Sequence, residues 1–98
     1  MSFKIIILDE AKNDFKEIIT WYKKINPLLS KKFANSFKSS IKKINRNPFE
    51  YQIRYDNVRV FLINIFPFLI HYSIENHIIL VKAVLHTSRD SKINNYLN

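Results

Sequence analysis

The stretch from Val58 to Asp90, VRVFLINIFPFLIHYSIENHIILVKAVLHTSRD, admits few folds. It reads as three consecutive strands, Val58 to Asn64, Phe68 to Ile74 and Ile78 to Leu85, and the last runs directly into His86, Arg89 and Asp90. β-branched and aromatic residues dominate, as a half-buried pleated surface requires. Links this short allow only antiparallel neighbours, so the stretch predicts a meander. Strict alternation then sorts the side chains into two faces. On that reading Arg59, His71, Ser73, Lys82 and His86 share one face with Phe61, Ile63 and Leu69, a surface that is basic and partly apolar.

Upstream the periodicity changes. Phe3 to Leu8 is a short apolar strand, expected to be covered on both faces. Asp9 is placed to cap a helix whose stripe is Ala11, Phe15, Ile18, Tyr22 and Ile25. Trp21 flanks that stripe, where its ring can pack on the neighbouring helix or meet a partner. Pro27 suits the first turn of a second helix with the stripe Phe33, Phe37, Ile41 and Ile44, ended at Asn47-Pro48. Two helices joined this tightly form an antiparallel hairpin covering one face of a sheet, with Lys31, Lys38 and Lys42 outward. Tyr51, Ile53 and Tyr55 alternate with polar residues as an extra short strand. Ser88 or Asp90 could cap a short C-terminal helix carrying Ile93, Tyr96 and Leu97. The expected fold is α+β, ordered β-α-α-β-β-β, in one domain over residues 1–98, with the helical hairpin on one face of a mainly antiparallel sheet.

Composition removes several classes of function. Glycine is absent, so neither a P-loop nor a dinucleotide fingerprint can exist. Asp56, Asn57 and Asn76 become the candidates for positive-φ turn positions. Cysteine is absent too, which rules out disulfides and thiolate metal sites; no metal site or cofactor is expected. No apolar run could span a bilayer, and with no secretory signal the expected location is the cytoplasm. The formal charge of +8 favours a polyanionic or acidic partner. It is unevenly placed: no acid occurs between Glu17 and Glu50, while eight of the 16 basic residues do.

The chain resembles the RelE/ParE superfamily of type II toxin–antitoxin toxins. The resemblance is carried by Ala11, Asp14, Phe15, Ile18, Trp21 and Tyr22 after the first strand, and by Pro27, Phe33, Ile41 and Pro48. It continues through Arg59, Phe66-Pro67-Phe68, Ile70, Tyr72, Ala83-Val84-Leu85-His86 and Arg89-Asp90. It implies a growth-inhibiting toxin neutralised by a cognate antitoxin that wraps it. The ParE-like branch of the superfamily poisons DNA gyrase; the RelE-like branch cuts mRNA on the ribosome without metal. A histidine followed three residues later by Arg-Asp is typical of ParE-like and unassigned members. The dense Lys/Arg run of the nuclease branch is represented here only by Arg54 and Arg59, and Tyr96 has only Lys92 near it. ParE-like gyrase inhibition is therefore the favoured expectation. RelE-like endonuclease activity and a non-toxic nucleic-acid- or antitoxin-binding module are the alternatives.

Metal-free RNA cleavage needs proton transfer and a cation against the phosphorane. Were the chain a nuclease, Arg59, His86 and Arg89 would be its catalytic residues, with Lys82 as a secondary candidate; His71 reads as packing. For an acidic, amphipathic antitoxin segment, the expected contacts are Trp21, Lys31, Lys38, Lys42, Phe61 and Leu69.

Overall fold

The computed structural model describes residues 3–88. The elements are β1 (Lys4–Ile7), α1 (Asp9–Ile25), α2 (Pro27–Arg46), β2 (Ile53–Tyr55), β3 (Val58–Leu62), β4 (Phe68–Glu75) and β5 (Ile78–His86). One mixed sheet, ordered β1-β5-β4-β3-β2, carries both helices on one side. The expected α+β architecture, hairpin and extra strand are all present. The expected C-terminal helix, with Arg89, Asp90 and Tyr96, lies outside the described residues. Among the described residues, no helix is long and apolar enough to cross a membrane.

A single residue joins the helices. The Asn26 N–H donates to Tyr22 O at 2.8 Å and closes α1, while its side chain accepts from Leu28 N at 2.9 Å and opens α2. Pro27 follows at the first helical position, where its missing N–H costs nothing. At the start of α1 the expected Asp9 cap is absent. Leu8 holds the extended cap position and Asp9 is already helical, favoured there by the helix dipole instead. β1 differs from expectation as well. It is an edge strand, parallel to β5, with its isoleucines only partly buried.

The core lies between helices and sheet around four rings. Tyr22 and Phe33 meet Phe66 edge-on, with centroids at 5.3 and 5.2 Å, and both rings also contact Phe68. Phe66 is anchored from the β3–β4 connection, and this explains a local oddity. Asp56 and Asn76 take up positive φ as anticipated, but so does Ile65, at φ 62°. A β-branched side chain disfavours that region strongly. Holding Phe66 inward turns Ile65 out, leaving it 75% exposed.

The decisive departure is in β5. Tyr72 pairs with Val81, yet His71 pairs with Ala83, so Lys82 is an extra residue, a β-bulge. Beyond it the alternation is inverted, because one inserted residue exchanges the two faces of everything that follows. Ile79, Val81, Val84 and His86 therefore line the helix side. Cross-strand partners share a face, so Phe68, Ile70 and Tyr72 join them, with Arg59 and Phe61 opposite Tyr72 and Ile70. Val60, Leu69, His71 and Ser73 are on the other face, all buried. The predicted common face of Arg59, His71, Ser73, Lys82 and His86 does not exist. Ile25, placed in the α1 stripe, is also turned out and more than half exposed.

Candidate functional site

Arg59 is fixed by β3 beside the chain that enters β2. Its guanidinium donates to the backbone carbonyls of Phe49 at 3.1 Å and Tyr51 at 2.6 Å, and its carbon lies 5.4 Å from the centre of the Phe49 ring. Those contacts tie an irregular segment to the sheet. Behind it, the Tyr72 hydroxyl donates to Pro48 O at 2.7 Å, and burial holds its pKa well above the ordinary phenol value.

His86 is at the far end of the sheet. Arg59 is opposite Tyr72 and His86 is opposite Phe68. Four residues along a strand and two strand spacings across put their Cα atoms roughly 16 Å apart. The His86 ring meets Phe68 edge-on at 5.3 Å, and its Nδ1 accepts from Ser88 N at 3.1 Å. An Nδ1 that accepts places the neutral ring's proton on Nε2. Beside the ring is a notch of about 130 Å³ lined by Asp14, Glu17, Ile18, Phe68, Val84 and His86. Its charged walls are carboxylates, which suit a cation or a hydrogen-bond donor and repel a phosphodiester. Lys82, in the bulge, is partly exposed. Among the described residues, then, Arg59, Lys82 and His86 form no cluster; Arg89 lies outside them. No group of three or more His, Asp or Glu among the described residues could hold a metal ion.

The partner-facing candidates divide. Lys31, Lys38 and Lys42 are exposed on α2. Trp21 is 58% exposed, and its ring meets that of Tyr22 on its own helix with centroids at 5.0 Å. Ile25 and Leu28, both exposed, extend this apolar surface around the helical turn. Phe61 is half-buried, edge-on to Tyr51 at 4.8 Å. Leu69 is only 7% exposed and offers no surface to a partner: alternation put it among polar residues, but it is on a covered face.

One feature escaped the sequence reading. A groove of about 410 Å³ opens along the helical hairpin, lined by Ile7, Phe15 and Phe37 and rimmed by Lys12, Lys16 and Lys38. The Phe15 and Phe37 rings touch at 4.9 Å along it. The usable signal was the lysine pair at spacing four on either side of Phe15, which reads at first as a solvated helix flank.

The family model of the ParE toxin of type II toxin–antitoxin system, parDE, matches residues 5–91. The chain belongs to the ParE toxin family. Among solved structures, this ParE-family chain is similar to one from the chromosomal ParDE TA system of P. aeruginosa. The TM-score is 0.77 at 15% sequence identity, covering 87% of this chain and 96% of that one, a likeness of fold. No curated protein matches the sequence. The matched span includes Arg59, His86 and Arg89, so membership of the ParE family rests on the whole body of the chain, not on one motif.

Proposed function

We propose that this ParE-family chain is the growth-inhibiting toxin of a type II pair, held inactive by a cognate antitoxin, and that it acts by binding DNA gyrase. The observation that carries this reading is the setting of His86. It borders a notch whose charged walls are Asp14 and Glu17, whereas RNA cleavage would need cations against the developing phosphorane. The arginine expected to supply one is bound to the Phe49 and Tyr51 carbonyls instead. That arrangement favours inhibition through contact over inhibition through cleavage.

Induction in a bacterial host, followed by two measurements, tests the proposal. Purified protein added to gyrase should suppress supercoiling, and induced cells should show DNA-damage signalling with intact mRNA ends. New mRNA ends mapping to ribosome-bound codons, with supercoiling unaffected, would replace gyrase with the ribosome as the target. Harmless overexpression would leave only a binding module.

A further inference from the structure

The closed end of the helical hairpin holds three large apolar side chains in water. Trp21 and Ile25, one turn apart on the same face of α1, are 58% and 57% exposed, and Leu28, just past the Asn26 junction, is 67% exposed. An apolar patch on the order of a few hundred Å² is the size at which a surface marks a binding site. Positive charge surrounds it. Lys24 is one turn from Trp21, Lys31 and Lys32 are one turn from Leu28, and all three are exposed. The sequence has no acid between Glu17 and Glu50. Glu17 itself shares the shallow hollow beside the indole with Lys16, Thr20 and Lys24, where cations outnumber it.

We propose that this end of the hairpin docks on an anionic phospholipid bilayer, with Trp21, Ile25 and Leu28 entering the headgroup–acyl boundary and Lys24, Lys31 and Lys32 against lipid phosphates. Each part has its counterpart in that partner. Indole rings settle at the headgroup level, and aliphatic side chains leave water just beneath it. Lysine stems lie along apolar surface while their ammonium groups stay with the phosphates, and each cation near an anionic leaflet adds attraction. A single-stranded nucleic acid would meet the lysines and stack on Trp21, but it offers no equivalent match to Ile25 and Leu28. A second copy of the chain would set the same lysines against one another. The contact is peripheral, since among the described residues no helix is long and apolar enough to cross the bilayer. Such docking needs neither gyrase nor an antitoxin, and it gives the chain a second working surface.

Trp21 is the only tryptophan in the sequence, so its fluorescence reports on this surface directly. Vesicles of phosphatidylglycerol and phosphatidylcholine in equal parts, titrated into the full chain at physiological salt, should shift its emission to shorter wavelength. The protein should float with them, and brominated acyl chains should quench the signal. Vesicles of phosphatidylcholine alone should bind about tenfold more weakly or worse. The double substitution Ile25→Ser, Leu28→Ser should weaken binding about tenfold or more. So should the triple substitution Lys24→Gln, Lys31→Gln, Lys32→Gln. The control Lys42→Gln, Lys43→Gln, Arg46→Gln removes the same charge about 15 Å or more along α2 from Lys32, and should weaken binding by less than about threefold. All the substituted side chains are exposed, so each variant should keep the wild-type melting curve. Equal losses in the two charge variants would reduce the effect to overall charge and overturn the proposal. So would an unshifted Trp21 emission on saturating vesicles, or equal binding to phosphatidylcholine alone. A thymidine oligonucleotide that quenches Trp21 and binds more tightly than the vesicles would replace the bilayer with nucleic acid. A wild-type dimer that Ile25→Ser, Leu28→Ser dissociates would replace it with a second copy of the chain.

Discussion

Asp14, in the second turn of α1, accepts a hydrogen bond from the backbone N–H of Val84, seventy residues later in the chain, at 2.9 Å. β1 pairs with β5 only as far as Val81. Among the described residues, the outer edge of β5 beyond that point has no neighbouring strand, and the Asp14 carboxylate takes a strand's place. An edge N–H is thereby covered, and α1 is pinned to the sheet just where the bulge at Lys82 has reset the faces. Asp14→Ala should lower stability by about 1.5–3 kcal/mol, the range for a hydrogen bond to a charged group. Asp14→Asn, which keeps an acceptor, should recover part of that loss. Urea unfolding of the three proteins measures it.

Ile65 gives a change in the opposite direction. Its φ of 62° penalises a β-branched side chain that is 75% exposed and so loses little by removal. Ile65→Asn should stabilise the protein by about 1 kcal/mol, because asparagine tolerates the left-handed region. A melting temperature raised by several degrees would bear this out. An unchanged or lowered one would show that the exposed isoleucine is held by contacts that outweigh its strain.

Tyr72 predicts a dependence on alkaline pH. Its folded-state pKa is raised above the ordinary value of 10.0 by burial, and Tyr22 is raised for the same reason. A raised folded-state value means that the native state holds the proton more tightly than the unfolded chain does. The stabilisation is complete below about pH 10 and is lost as the pH climbs beyond it. Tyr72→Phe should flatten this alkaline decline. It should also cost about 1–2 kcal/mol at neutral pH, since it strands the Pro48 carbonyl. Melting curves on both sides of pH 10 separate the two effects.

Arg59 and His86 should behave as independent residues. Arg59→Ala removes two carbonyl contacts and the Phe49 ring contact, and should destabilise by about 1–2 kcal/mol. His86→Ala alters an exposed side chain and should cost less than about 0.5 kcal/mol. In the double variant the two costs should add to within about 0.5 kcal/mol, as for groups with no shared partner. A larger coupling, or loss of growth arrest in a well-folded His86→Ala protein, would argue for a working pair.

Much of this architecture could be read from the residues. Apolar spacing placed both helices, Asn26-Pro27 marked their junction, and the aromatic-rich run from Val58 located three strands within a residue or two. Asp56 and Asn76 took the turn positions that the lack of glycine assigned them. The candidate site was far less legible, chiefly because of Lys82. Alternation is a rule about a regular ladder, and a bulge adds one residue with no mark in the local sequence. A face derived by counting through it put Val84 and His86 on the side of Leu80, whereas joining Arg59 to His71 was an error of register, since the regular β3–β4 ladder sets Arg59 opposite Tyr72. Leu69 went wrong differently: a strand's period tells which residues share a side, not whether that side is covered. Ile65 went unseen because its conformation is dictated by where Phe66 must go, a tertiary demand that overrides local preference.

The strand order β1-β5-β4-β3-β2 also bears on how the protein comes into being. Among the described residues β1, the first strand made, has only β5 as its neighbour, and β5 is the last strand of the sheet. On the ribosome, residues 4–7 wait without a partner until residues 78–81 leave the exit tunnel, and Asp14 waits longer for Val84. The native sheet is therefore a late event in synthesis. A nascent chain interrupted before that point lacks the partner that closes its first strand, and a truncated translation product should be unable to complete the native body.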